Sequence, residues 1–232
     1  MKSLKSIVKY FSAGEILLWC FSVILTVASF CVFDRENYLT LAASLIGVTA
    51  LIFNAKGNPA GQVLMIVFSL IYGYISFKFT YYGETLTYVG MSMPMAVFAL
   101  VSWLKNPYNG NKSEVKVNCL KRYEPIFMWI ATAVVTAIFY FILKAFGTKN
   151  IIPSTISVTT SFLAVYLTFR RSPFYAIGYA ANDIVLIVLW TLATIENISY
   201  LSVIVCFVAF LANDIYGFIN WRKMAKRQAE SK

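Results

Sequence analysis

Histidine is absent from this 232-residue sequence, and charge is scarce: Asp, Glu, Lys and Arg together make up 13% of it. Without histidine the chain lacks the usual metal ligand, general base and pH switch. The four cysteines, Cys20, Cys31, Cys119 and Cys206, show no short Cys-x-x-Cys spacing, so neither a zinc site nor a disulfide framework is indicated. No Gly-rich phosphate loop stands in a strand-helix context. What is abundant is apolar: 59% of residues are hydrophobic, and the mean hydropathy is +0.70. A soluble domain is about 45–50% apolar and about 25% charged. Disorder, a fibrous repeat and a soluble enzyme domain of ordinary composition are therefore excluded, and an integral membrane protein remains.

A spanning helix needs about 20 apolar residues. Eight apolar stretches meet that need: Ile16–Phe33, Leu39–Asn54, Gly61–Tyr82, Thr85–Leu104, Pro125–Phe146, Ser154–Phe169, Phe174–Thr194 and Ile198–Trp221. Turn signals divide them, among them Lys56-Gly57-Asn58-Pro59, Tyr82-Gly83-Glu84, Asn106-Pro107-Tyr108-Asn109-Gly110 and Ser172-Pro173. One long loop, 105–124, interrupts the series. The basic leader (Lys2, Lys5, Lys9) resembles the start of a signal peptide, but charged Asp34-Arg35-Glu36 follows the first stretch where a small-residue cleavage site would be needed. The first stretch is therefore read as a retained helix.

The net charge of +10 comes from 20 basic against 10 acidic residues. With alternating spans and the N-terminus inside, 16 Lys and Arg fall on the inner side, and 4 (Arg35, Lys78, Lys144, Lys149) fall outside. Cytoplasmic loops collect Lys and Arg, so both termini are expected in the cytoplasm. The cluster Lys223, Lys226, Arg227 reads as an anchor beside anionic lipid. The Asn197-Ile198-Ser199 sequon falls on the outer side of this layout.

The sequence also repeats itself. Lys56-Gly57-Asn58-Pro59 matches Arg170-Arg171-Ser172-Pro173, a basic turn closing on proline, 114 positions on. Trp103-Leu104-Lys105 matches Trp221-Arg222-Lys223, 118 positions on. The expected architecture is all-α with eight transmembrane helices: a leader and extra helix (1–38), a three-helix bundle (39–105), a loop and linker helix (106–150), a second three-helix bundle (151–223) and a basic tail (224–232). A single linker helix gives both bundles the same orientation, a parallel 3+1+3 repeat of a kind known in transporters, with the substrate site between the bundles near mid-membrane.

Ionisable groups within spans face cavities or partners and mark function. Asn182-Asp183 and Asn213-Asp214 are such groups. Asp183 shares a helix face with Trp190, and Asn213, Tyr216, Gly217 and Asn220 form one stripe. The first bundle offers Gln62, Tyr72 and Tyr74, with Met93, Pro94 and Trp103 on the next helix. Pro94 removes a helix hydrogen bond and is expected to kink that helix. Aromatic faces with a few placed polar groups suit a flat, polar small molecule. The competing reading is that the Asn-Asp pairs tie helices together by interhelical hydrogen bonds. Trp19, Trp103, Trp129 and Trp221, near span ends, read as interface anchors.

The basic turn with Pro173, the run Asn182-Asp183-Ile184-Val185-Leu186 with Trp190, and the run Asn213-Asp214-Ile215-Tyr216-Gly217-Phe218-Ile219-Asn220-Trp221-Arg222-Lys223 resemble the PnuC family of bacterial vitamin transporters. So do Tyr72-Gly73-Tyr74-Ile75-Ser76, Tyr81-Tyr82-Gly83-Glu84 and Met93-Pro94-Met95. The likeness covers about residues 39–227. It implies a SWEET-like fold in the bacterial inner membrane and uptake of a nucleoside-like vitamin, typically nicotinamide riboside. It further implies facilitated diffusion, trapping by a cytoplasmic kinase that acts on the imported product without binding the transporter, and a homotrimer. No cofactor and no nucleic-acid partner are implied. Substrate-binding residues are expected among Gln62, Tyr72, Met93, Asn182, Asp183, Trp190, Asn213, Asp214, Tyr216 and Asn220. Two departures leave thiamine, riboflavin and nucleosides open as alternatives. Ala96 stands where nicotinamide riboside transporters often carry Gln, and Ser172-Pro173-Phe174-Tyr175 stands where they tend to carry a Glu-Gln-Trp run; both fall where they would shape the pocket. A carboxylate at Asp183 or Asp214 can carry a proton, so proton-coupled uptake stays open as well. A membrane-embedded enzyme lacks a positioned acid-base pair or metal here.

Overall fold

A computed structural model describes residues 10–78, 82–148, 150–195 and 197–231. The basic leader, Tyr81, Lys149, Glu196 and Lys232 lie outside the described residues. Eight helices among the described residues are long and apolar enough to cross a membrane. They are α1 (Ala13–Phe33), α2 (Tyr38–Ala55), α3 (Ala60–Lys78), α4 (Tyr82–Leu104), α5 (Glu124–Ala145), α6 (Ile151–Phe169), α7 (Tyr175–Thr194) and α8 (Leu201–Glu230), the last entered through a 3-10 turn, Ile198–Tyr200.

Local chemistry sets the helix ends. Ser12 and Glu15 form a reciprocal capping box at the start of α1, which satisfies two of the backbone donors a helix start leaves open. After α2, Gly57 turns left-handed (φ 65°). Gly57 N–H then donates to the Asn54 carbonyl (2.9 Å) and Asn58 N–H to the Phe53 carbonyl (3.0 Å), a pattern that closes a helix by satisfying its last carbonyls. Pro59 follows, and α3 begins. After α6 the same turn recurs with Arg171 at φ 58°. Arg171 N–H donates to Thr168 (3.0 Å) and Ser172 N–H to Leu167 (3.0 Å).

Proline shapes α4 as well. Its middle segment, Leu86–Ser92, is a π-helix, and Met93 N–H donates to the Tyr88 carbonyl five residues back. Pro94, which has no N–H, follows at once. The expected kink is thus realised as a widened turn, one of the recognised ways a helix accommodates a disrupted ladder.

The loop after α4 is not irregular throughout. Asn109 (φ 47°) and Gly110 (φ 77°) are both left-handed, and they join the antiparallel strands β1 (Pro107–Tyr108) and β2 (Asn111–Val115). Asn-Gly supplies the two positive φ angles that a tight hairpin turn needs. The residues after 223, expected as a tail, continue α8 to Glu230. The hairpin and this extension hold each other: Gln228 accepts from Val117 N–H (2.8 Å) and donates to the Val115 carbonyl (3.1 Å).

Of the 15 described Lys and Arg residues, 12 lie at the hairpin end of the helices and 3 (Arg35, Lys78, Lys144) at the opposite end. All the ion pairs among the described residues lie at the hairpin end: Glu15–Lys56, Glu124–Arg170, Glu114–Arg227 and Glu230–Lys226.

Matched hydrogen bonds join the two parts of the bundle. α8 packs on α2, and α4 packs on α6. Trp221 Nε1 donates to the Asn54 carbonyl (2.8 Å), and Trp103 Nε1 donates to the Thr168 carbonyl (2.9 Å). One residue further on, Asn220 donates to the Ala55 carbonyl (2.8 Å) and Ser102 to the Phe169 carbonyl (3.0 Å). The hairpin side of the loop repeats the pattern, because Val115 N–H caps the Gly57 carbonyl and Asn118 N–H caps the Arg171 carbonyl. Trp103 and Trp221 were expected as interface anchors. Both are instead fully buried, their rings 5.4 Å apart. Their indole N–H groups find helix-terminal carbonyls inside the protein, so neither needs the headgroup layer. Trp19 and Trp129 are exposed, as anchors should be.

α1 and α5 take corresponding places at the periphery. α1 lies against α2 and α8, and α5 lies against α6 and the first turn of α4. Each opens with a glutamate paired to the basic residue of the adjacent turn: Glu15 with Lys56 (3.1 Å), and Glu124 with Arg170 (2.9 Å). α1 turns Ser22, Thr26 and Ser29 inward and Leu17, Phe21, Ile24 and Val32 outward. Small inward residues allow helices to approach closely in lipid.

Candidate substrate site

At the end opposite the hairpin, a vestibule of about 430 Å³ opens between α1, α2, α3, α7 and the Ile198–Tyr200 turn. Asp34, Arg35, Glu36 and Asn37 form its rim, and Tyr72 and Trp190 line its depth. Trp190 packs against Tyr200 at 5.3 Å between ring centroids, and Tyr72 against Tyr88 at 4.5 Å. These rings separate the vestibule from what lies deeper.

Seven residues along α7 from Trp190, roughly 10 Å by helix rise, Asp183 lines a small cavity of about 40 Å³ at mid-span. Its walls are aromatic (Phe68, Tyr88, Tyr179, Phe207, Phe210) and its polar groups are Ser92, Ser161, Asn182, Asp183 and Asp214. The Asp183 and Asp214 carboxyl groups face each other there. Asp183 Oδ2 is buried without a hydrogen-bond partner. Asn182 is held from α6: the hydroxyls of Ser157, Thr160 and Ser161 lie 2.9–3.2 Å from its Oδ1. Close helix approach makes this contact: a Cβ added at Gly178 of α7 would lie 2.8 Å from the Ala164 Cα of α6. A further seven residues toward the hairpin, the Trp103–Trp221 pair and Tyr175 (4.9 Å from Trp221) fill the path. The conformation is open at one end and closed at the hairpin end.

Of the residues expected at a site, Tyr72 and Trp190 line the vestibule, and Asn182, Asp183 and Asp214 line the central cavity. The others lie elsewhere. Gln62 is buried at the hairpin end, its Nε2 donating to Asn54 Oδ1 (2.8 Å). Asn213 points to α1 and donates to Ser22 Oγ (2.9 Å). Tyr216 donates to Glu15 Oε1 (2.9 Å), and Asn220 caps α2. Met93 is half-buried beside the π-helix and lines neither cavity. The stripe Asn213-Tyr216-Asn220 is real, but it faces α1 and α2. Asp214, about 100° around the helix from Asn213, faces the cavity. Ala96 lines the cavity and so shapes it, whereas Tyr175 packs at the hairpin end.

Sequence reasoning missed Tyr179, Phe207, Phe210, Tyr88 and Phe68. Tyr179 precedes Asp183 by one turn, and Phe207, Phe210 and Asp214 stand at i, i+3 and i+7, so a face count from the aspartates finds three of the five. Phe68 and Tyr88 carry no such signal.

Residues 37–223 match the family described as nicotinamide mononucleotide transporter. A Neisseria mucosa protein named nicotinamide riboside transporter PnuC is 26% identical over 203 residues, covering 85% of this chain and 77% of its own. A Haemophilus influenzae protein of the same name is 23% identical over 199 residues, covering 83% and 82%. The crystal structure of the vitamin B3 transporter PnuC shares the fold, with a TM-score of 0.81, 24% identity and 94% of each chain covered.

Proposed function

The chain belongs to the nicotinamide mononucleotide transporter family, the PnuC family its motifs resemble, and from that premise we propose that it carries a nucleoside-like vitamin, nicotinamide riboside first among them, across the bacterial inner membrane. The observation that carries this reading is the stack of vestibule, aromatic floor and polar-aromatic cavity on one line through the bundle. The vestibule is large enough to admit a nucleoside, while the central cavity must widen to hold one, since ligand pockets run to about 300 Å³ or more. Trp190 and Tyr72 are the rings that would move aside.

The matched hydrogen bonds of Trp103 and Trp221 support a bundle of two like units, 39–105 and 151–223, meeting around the cavity. The basic hairpin end is assigned to the cytoplasm, as the distribution of Lys and Arg favours, so the vestibule faces outward. Transport is read as facilitated diffusion made one-way by phosphorylation of the product inside the cell. The assembly is read as a homotrimer, which mass measurement of the detergent-solubilised protein tests.

Uptake of radiolabelled nicotinamide riboside into proteoliposomes tests the function. Equilibration faster than in empty liposomes, without a pH gradient, is expected. No uptake of this ligand, thiamine, riboflavin or nucleosides overturns it. Ala96 in the cavity wall favours a second reading, in which thiamine or a nucleoside is the better ligand; ranking the four ligands by competition decides between the two.

A further inference from the structure

Acidic residues in this chain divide by their company. At the hairpin end, Glu15, Glu114, Glu124 and Glu230 each pair with a Lys or Arg. Asp183 and Asp214 do not: no basic side chain lines their cavity, and no ion pair reaches them among the described residues. They are 4% exposed, they face each other, and Asp183 Oδ2 has no hydrogen-bond partner. Two carboxyl groups brought together in hydrocarbon repel when charged. Such residues are retained within spans where they line a pathway or meet a counter-ion. The surrounding walls are the faces of Phe68, Tyr88, Phe207 and Phe210, and aromatic faces attract an organic cation. A small metal ion would instead require a shell of six or more oxygen ligands; of the five polar side chains here, Asn182 Oδ1 is already taken by Ser157, Thr160 and Ser161, which leaves Ser92 and the two carboxyl groups as the free oxygen donors. In a separate small cavity that also borders Trp190, Glu84 is 5% exposed with Oε2 unpartnered.

We propose that Asp183 and Asp214 select the ligand by charge: the site takes nucleoside-like molecules that carry a fixed positive charge on an aromatic ring. The ring would lie among the aromatic walls, and the two carboxylates would provide its counter-charge. This rests on the transport reading above and narrows it, since a pyridinium riboside and the thiazolium of thiamine qualify, whereas riboflavin and ordinary nucleosides do not.

The test compares nicotinamide riboside with its 1,4-dihydro form, which has nearly the same shape but no ring charge, by calorimetry on the purified full chain. The charged form is expected to bind about thirtyfold or more tighter, the ratio that follows from losing one buried charge partner. Equal binding of the two forms overturns the charge proposal alone. Binding of neither form, together with no uptake of nicotinamide riboside, thiamine, riboflavin or nucleosides, overturns the transport reading with it. In Asp183→Asn and Asp214→Asn the preference for the charged form should shrink at least about tenfold; an unchanged preference in folded variants overturns the proposal. The wild-type ratio stands even where a variant fails to fold. Replacing sodium with potassium should leave the ratio unchanged, and a ratio that depends on sodium overturns it.

Discussion

Trp103 and Trp221 stand 118 positions apart and do the same thing, each donating its indole N–H to the end of the first helix in the other bundle. The same count carried into the middle of the membrane gives a different result. Met95 and Ala96 of α4 correspond to Asn213 and Asp214 of α8, and with the 114-residue offset Phe68 and Ser69 of α3 correspond to Asn182 and Asp183 of α7. The hairpin ends are alike down to single hydrogen bonds, and the centres are unlike in polarity. The shared parts close helices and hold the bundles together, which any conformation must do. The unshared parts meet at the cavity, where α7 and α8 supply both carboxylates, the amide and the rings of Tyr179, Phe207 and Phe210, while α3 and α4 supply Phe68, Tyr88 and Ser92 and no carboxylate. Like helix ends thus flank a centre that is not alike.

The comparison can be broken in order of size. Trp103→Ala and Trp221→Ala each remove a fully buried ring, and each should destabilise by about 3–5 kcal/mol in chemical unfolding of the detergent-solubilised protein. If one variant unfolds like wild type, the two ends are not equivalent. Making the second bundle read like the first at its centre, Asp183→Ser with Asp214→Ala, should abolish detectable binding of a cationic ligand. It should leave stability unchanged or raised by about 1–2 kcal/mol, because buried charges without partners do not stabilise. A large drop in melting temperature would mean that the pair holds helices together. Ser102→Ala and Asn220→Ala should each cost about 1 kcal/mol, a single hydrogen bond to a helix-end carbonyl, with ligand affinity untouched; a change in affinity would join the hairpin end to the site. Smallest are Glu15→Gln and Glu124→Gln, each about 0.5–1 kcal/mol. Their effects should be alike and should weaken at high salt, because Lys56 and Arg170 stay partly open to water. Unequal losses would separate α1 from α5.

Much of this was legible from the sequence because hydrocarbon makes a simple demand. Apolar runs divided by Gly-Asn-Pro and Ser-Pro turns mark eight spans within a few residues of those observed, except that the last helix runs past the expected Trp221 to Glu230. The Asn-Gly pair marked a turn, although its short strands carried no alternating pattern to find. The site was half legible. Charge in a span pointed to Asp183 and Asp214, and both line the cavity. Helical spacing then favoured the wrong neighbour: Asn213, Tyr216 and Asn220 form the more polar stripe, yet that stripe faces Ser22, Glu15 and Ala55. Periodicity shows which residues share a face but not which helix stands opposite. Gln62 failed for the same reason, since its partner Asn54 lies across a turn. Phe207 and Phe210 are apolar residues in an apolar helix, and only their ring contacts with Tyr72 and Phe68 of α3 distinguish them from lipid-facing neighbours.

The most direct measurement is the initial rate of radiolabelled nicotinamide riboside uptake into proteoliposomes for wild type and for Asp183→Ser/Asp214→Ala, with both proteins shown to be folded. The account predicts uptake well above empty liposomes for wild type and none above them for the double variant. Equal rates for the two proteins would contradict it.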